Sequence, residues 1–295
     1  VNSDRLAQFV PLADGRRLAY ASYGTVTGFP VFYFTGGNSS RLEGQWFEQA
    51  LHGRDIHLIV PDRPGFGQSS FQPQRRLSDW PDDVIALADA IGIDQFSVFG
   101  LSGGGPYVLA LASIWPDRLR QVAVVSGTAP PEMPDKFKGM WPPVRLIFGS
   151  ARRWPRLNRF LLRQMGAFYS DEAQMAAQMR RALPAPDVEL IDRRPEIIQI
   201  FAETTREAHR HGIAADAQEW QLYVRPWDFD MAAIQHRVRL WYGLYDKQVP
   251  IGMGRYLARV LPSAALSEVA DGGHFSTINN HIDAILDGLI RIGEP

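Results

Sequence analysis

QFSVFGLSGGGP, residues 95 to 106, is an apolar run that stops at Gly100-Leu101-Ser102-Gly103-Gly104 and gives way to a second apolar pattern. Phe96 to Phe99 is rich in aromatic and β-branched residues, as a buried strand is, whereas Tyr107, Leu109, Ala110, Leu111 and Ile114 follow helical spacing. The stretch therefore predicts strand, sharp turn and helix, with Ser102 at the corner of a G-x-S-x-G pattern. Glycines at 100, 103 and 104 allow strand and helix to approach closely around a strained serine. The corner sets the hydroxyl at the carboxyl end of a strand and above a helix N-terminus, where open α/β sheets bind ligands. A phosphate-cradling dinucleotide loop would need glycine in place of Ser102 and an acid closing a strand about 20 residues later. Ser126-Gly127 stands there. A plain glycine-rich turn stays open until the chain supplies a base, an acid and an oxyanion hole.

With 295 residues the chain is long enough for one large core, as a single domain or a domain with one insertion. A net charge of −1 argues against a nucleic-acid partner. No apolar run reaches the ~18 residues of a membrane span, and VNSDRLAQFV lacks a basic-then-apolar signal pattern. The expectation is a soluble, cytoplasmic protein with no integral membrane segment. The lack of cysteine excludes disulfides and thiolate metal sites; no metal and no cofactor are expected. Arginine outnumbers lysine 28 to 3, which reads as compositional bias.

Along the chain, 5–11 and 16–23 read as a hairpin turning at Asp14-Gly15, and 31–34 as a buried strand ending in Thr35-Gly36-Gly37. Helical spacing covers about 43–52, a third apolar run covers 56–60, and Ser78 is expected to cap a helix reaching Ile91. After the Ser102 unit comes a strand at 122–125. Strands alternating with helices predict a mostly parallel sheet covered on both faces. The alternation fails between Thr128 and Asp230, where helical stretches at 171–183 and 195–211 suggest an inserted helical cap, and it resumes at Val238. The expected organisation is an α/β core in two parts, 1–127 and 233–295, with a cap at 128–232 after the sixth strand.

A serine hydroxyl needs a base, and the base a carboxylate to hold its tautomer. Of seven histidines, His274 alone follows a predicted strand in a glycine-rich loop, DGGHFS. Asp246, in GLYDKQVP, closes a predicted strand at the same sheet edge; the rival place after the preceding strand offers only Ser126, Gly127 and Thr128, with Glu132 the nearest acid.

The chain resembles the α/β-hydrolase superfamily over most of its length outside the cap. The order Ser102, Asp246, His274 is the order that fold uses. The stretch DRPGFGQS at 62–69 is similar to the family's D-x-x-G-x-G-x-S turn, and GLYDKQVP to its G-x-x-D-x-x-V-P acid loop; Asp62 is read as holding its turn. The resemblance implies an oxyanion hole from the backbone N–H groups of Gly103 and Gly37. Relatives commonly read His-Gly-x where this chain reads Thr35-Gly36-Gly37.

These residues imply acyl transfer to water through an acyl-enzyme, with a small-molecule acyl substrate and a carboxylic ester bearing an apolar part as first choice. Aromatic residues between Trp141 and Phe229 could line an apolar pocket or form the cap's own core. Carbon–carbon bond hydrolases, proline-type peptidases, haloperoxidase-like esterases and a receptor without turnover are the alternatives. Lys136 to Arg163 contains eight cations and no acid. Arg152, Arg156, Arg159 and Arg163 have the spacing of one continuous helix face, with Leu157, Phe160 and Leu161 turned elsewhere. That face reads as solvated and paired with Asp171, Glu172 or Glu189, as a guide for anionic substrates, or as a contact with an anionic membrane.

Overall fold

The turn at Asp14-Gly15, with Gly15 at φ +84°, closes a hairpin of β1 (Gln8–Pro11) and β2 (Arg17–Gly24). A computed structural model describes residues 5–169 and 171–291. In it this hairpin is the antiparallel edge of one sheet that continues with β3 (Phe29–Phe34), β4 (Ile56–Pro61), β5 (Phe96–Leu101), β6 (Leu119–Val125), β7 (Val238–Gly243) and β8 (Ala264–Val269). The strand order is β1-β2-β4-β3-β5-β6-β7-β8, parallel from β4 onward. β3 and β5 are central, and each is buried along its whole carboxyl half, where the site lies.

Alternation along each strand divides the core between the two faces. Phe32, Phe34, Val122 and Val124 pack under α2 (Trp80–Ala90), α3 (Gly105–Ile114) and α10 (Ile251–Val260); Val31, Tyr33, Ala123 and Val125 pack under the short α1 (Glu48–Leu51) and α11 (His274–Ile290). Between β6 and β7 the described residues form the α-helices α4 (Pro142–Arg153), α5 (Pro155–Tyr169), α6 (Glu172–Ala182), α7 (Ala185–Arg193), α8 (Glu196–Ala208) and α9 (Ala214–Tyr223). Asp171 caps α6 by accepting from Gln174 N at 2.9 Å.

Four expectations need correction. The helix expected at 43–52 is mostly a 3₁₀ turn, Arg41–Phe47, followed by the single turn α1. Ser78 caps nothing: its hydroxyl donates to Asp228, and the chain enters α2 through a 3₁₀ turn held by Asp79 accepting from Arg76 N at 2.8 Å. His274 sits in the first turn of α11 rather than in a free loop, because the Ser276 hydroxyl accepts from Gly273 N at 2.7 Å and the helix begins at His274 itself. The basic stretch is not one helix. Trp154 precedes Pro155 and is driven out of the α region, to φ −134° and ψ 68°, so Arg152 lies in the last turn of α4 while Arg156, Arg159 and Arg163 lie on α5.

Candidate active site

Ser102 leaves β5 with φ +54°, a left-handed conformation costing a non-glycine residue on the order of 1 kcal/mol, and α3 follows at once. The turn closes because its neighbours lack side chains. A methyl group on Gly104 would collide with the carbonyl of Phe34 on β3, and one on Gly100 would come within 2.8 Å of Val108 on α3. The Ser102 carbonyl is fixed by Thr128 N at 3.2 Å.

Asp246 lies just beyond β7 and is buried. Its Oδ1 accepts from Gln248 N at 2.8 Å and Val249 N at 2.9 Å, which leaves Oδ2 to accept from His274 Nδ1 at 2.7 Å. The loops carrying the two residues are joined by Tyr245 N donating to Gly272 O at 2.9 Å. An ionised carboxylate only accepts, so His274 carries its proton on Nδ1 and turns Nε2 to the far side of the ring. Burial disfavours the imidazolium, but the Asp246 carboxylate and its hydrogen bond, with the charges of Asp187 and Glu43, outweigh it and raise the histidine pKa above its ordinary 6.5. Exposed Glu132 takes no part in this pair.

Asp187, on α7, was not legible as a site residue. It is buried, and its carboxylate accepts from His274 N at 2.9 Å, Phe275 N at 3.1 Å and Ser276 N at 2.8 Å, receiving the free amides of the α11 N-terminus. The helical segment between β6 and β7 thus holds the backbone of His274 in place.

The loop after β3 is oriented by a second unforeseen residue, Arg63. Its five N–H donors are all used: Thr35 O at 2.7 Å, Thr35 Oγ1 at 3.1 Å, Gly36 O at 2.7 Å, and Glu219 at 2.7 and 3.0 Å. A trans peptide sets its C=O and N–H in opposite directions. Drawing the Thr35 carbonyl to Arg63 therefore sends Gly36 N–H the other way, to Glu43 Oε2 at 3.2 Å. Drawing the Gly36 carbonyl to Arg63 likewise turns Gly37 N–H away from the arginine. The same rule applied to the Ser102 carbonyl turns Gly103 N–H away from Thr128. A side chain on Gly103 would come within 3.2 Å of Gly37 N, so the two amides are neighbours. At the start of this loop Thr35 and a buried guanidinium thus hold the backbone.

Arg63 belongs to a buried cluster with Arg75, Tyr107, Glu219 and Tyr223. Glu219 accepts from Arg75 at 2.5 Å and from the Tyr223 hydroxyl at 2.6 Å, and that hydroxyl is 3.0 Å from the Gly103 carbonyl. Within this cluster two guanidinium groups face one carboxylate. Burial pushes the Glu219 pKa up, but the two arginines outweigh it and hold the pKa low. Removing one partner of such a buried network typically costs about 3–5 kcal/mol. Glu219→Gln is accordingly expected to lower the melting temperature by roughly 5–15 °C, read by circular dichroism; an unchanged melting curve would show that the cluster holds nothing together.

Ser102, His274, Gly37 and Gly103 all line one cavity of about 160 Å³. Of the aromatic residues between Trp141 and Phe229, Trp141, Phe148, Tyr169, Phe201, Trp220 and Tyr223 reach it, whereas Trp154 and Phe160 are exposed. Phe275 completes the aromatic wall. Asp62 is occupied elsewhere, accepting from Arg41 N at 2.6 Å and Gln68 N at 3.0 Å, consistent with a residue that holds its turn. No group of three or more metal-ligating side chains occurs among the described residues.

A serine on a left-handed strand–helix corner, beside a buried His–Asp pair on the same sheet edge, defines the hydrolase class built on a parallel α/β sheet. The chain belongs to the alpha/beta hydrolase fold family, whose model matches residues 30–280. It is 30% identical over 231 residues, 76% of this chain and 75% of the relative, to RutD of Caulobacter vibrioides, a hydrolase whose name proposes a carbamate substrate. It is 24% identical over 274 residues, 90% of this chain and 89% of the relative, to 2-hydroxymuconate semialdehyde hydrolase of Pseudomonas putida. A thermophilic esterase from Thermogutta terrifontis has the same fold, with a TM-score of 0.66 at 22% identity, covering 97% of each chain. The relatives are hydrolases, and this chain is one on the same scaffold. No helix among the described residues is long and apolar enough to cross a membrane.

Proposed function

We propose that the protein is a serine hydrolase that cleaves a small, neutral carboxylic ester with an apolar part, and that residues 128–232 form a cap over a core made of 1–127 and 233–295. His274 Nε2 takes the Ser102 proton as Oγ attacks the ester carbonyl. The tetrahedral oxyanion accepts from Gly37 and Gly103 N–H. Collapse expels the alcohol, which takes the proton from His274 and leaves the acyl group on Ser102. Water then repeats the attack through the same base, releasing the acid and restoring the hydroxyl.

One observation carries the choice of substrate. No lysine or arginine lines the cavity among the described residues, and its one carboxyl group is Glu43, whose pKa is raised by burial. A substrate carboxylate would enter unpaired. One relative is named for 2-hydroxymuconate semialdehyde, and this cavity offers a substrate carboxylate no lysine or arginine among the described residues. Met165, Met175 and Met179 give the walls an adaptable apolar surface, and 160 Å³ is near the size of a cavity that holds one benzene ring.

The test compares two aryl esters matched in size, one with a neutral acyl group and one with a carboxylate on it. The neutral ester is expected to have a kcat/KM at least about 100-fold higher, since an unpaired charge cannot be desolvated cheaply. Equal rates, or preference for the anion, would remove the neutral-ester reading.

A further inference from the structure

We propose that the outer face of α4 and α5 docks on an anionic lipid surface. Leu146, Trp154, Leu157 and Phe160 are 47, 56, 40 and 57% exposed and all fall within residues 146–160. The sequence pattern alone turns Leu157 and Phe160 away from the arginines; in the structure both are exposed, as are Arg152, Arg153, Arg156, Arg159 and Arg163. On α5, Asn158, Leu162 and Gly166 are the buried positions, so Phe160 lies on the opposite face, between Arg156 and Arg163.

The acids expected to neutralise this face are elsewhere. Glu172 is 3.6 Å from Arg206, and Asp171 caps α6. None of these five arginines makes an ion pair among the described residues, and no acid occurs from Lys136 to Arg163. A face of one sign with protruding aromatic and leucine side chains is the pattern of a helix lying in a bilayer interface. The rings enter the acyl boundary, and the guanidinium forks take lipid phosphates. A second copy suits it poorly, because a two-fold contact would set arginine against arginine.

The inner sides of the same helices carry Val144, Ile147, Phe148 and Met165 to the cavity. Docking would therefore lay the cavity wall on the phase into which neutral apolar esters partition. That last step rests on the neutral-ester reading; the docking does not.

Cosedimentation with phosphatidylcholine vesicles, with and without about one third phosphatidylglycerol, tests it. The protein is expected on the anionic vesicles alone, with binding lost as salt rises. Arg152→Gln, Arg156→Gln and Arg159→Gln together should weaken binding about a hundredfold, at about fivefold per arginine. Trp154→Ser with Phe160→Ser should weaken it at least about tenfold. Both variants should hydrolyse a water-soluble ester at the wild-type rate, and Ser102→Ala should bind vesicles as the wild type does, so failure to dock and failure to hydrolyse are separable. Binding to neither vesicle, equal binding to both, or a dimer in light scattering that the Trp154→Ser and Phe160→Ser pair dissolves would each overturn the proposal.

Discussion

Ser102→Ala is expected to lower kcat by about 10⁶, the scale on which a serine nucleophile acts together with its base. The substitution removes one hydroxyl that lines the cavity and keeps the Cβ, so the left-handed corner at φ +54° is strained to the same degree as before. Melting temperature and binding of a neutral product should both stay near wild type. A serine-directed phosphonate should label Ser102 alone in the wild type and nothing in the variant. Wild-type turnover in Ser102→Ala, or labelling elsewhere with Ser102 untouched, would remove the proposed nucleophile.

Asp246→Asn is expected to lower kcat by about 10⁴. The introduced amide can donate to Nδ1, which would put the imidazole proton on Nε2, where it cannot accept from Ser102. The pH profile provides a second reading of the same change. Only the neutral imidazole is a base, so wild-type activity should rise with pH through a midpoint above the ordinary histidine value of about 6.5, because Asp246, Asp187 and Glu43 together raise the His274 pKa against its burial. With the carboxylate at 246 gone, burial is opposed only by the two remaining acids, and the midpoint should move down. The linked folding term has the opposite trend: the raised pKa contributes stability in full below about pH 6.5, and this contribution is lost as pH rises through the folded value. A wild-type profile flat from about pH 5 to 8 under conditions where chemistry limits the rate would exclude His274 as base. Collapse on Glu132→Gln instead would move the acid to the other strand end.

The parts of the fold that were legible in the sequence depend on short stretches of chain. Phe96 to Ile114 reads as strand, corner and helix because period and glycine spacing are local properties, and the parallel order of β3 to β8 follows from repeating that unit. Ser102, Asp246 and His274 could be singled out because each follows a strand that must end at the same sheet edge. One missed feature was also local: Pro155 was enough to break the arginine helix at Trp154.

The tertiary structure alone decided how the candidate site is held. Arg63 reads as one residue of a turn until Glu219, 156 positions later, the carbonyls of Thr35 and Gly36, and the Thr35 hydroxyl fill its five donors. Asp187 reads as an acid between prolines until folding brings it to the amides of His274, 87 positions away. Periodicity records which face of an element is apolar. It carries no record of which buried charge will meet which backbone carbonyl, because that pairing is set by desolvation, and desolvation exists only once the helices between β6 and β7 have closed over the sheet.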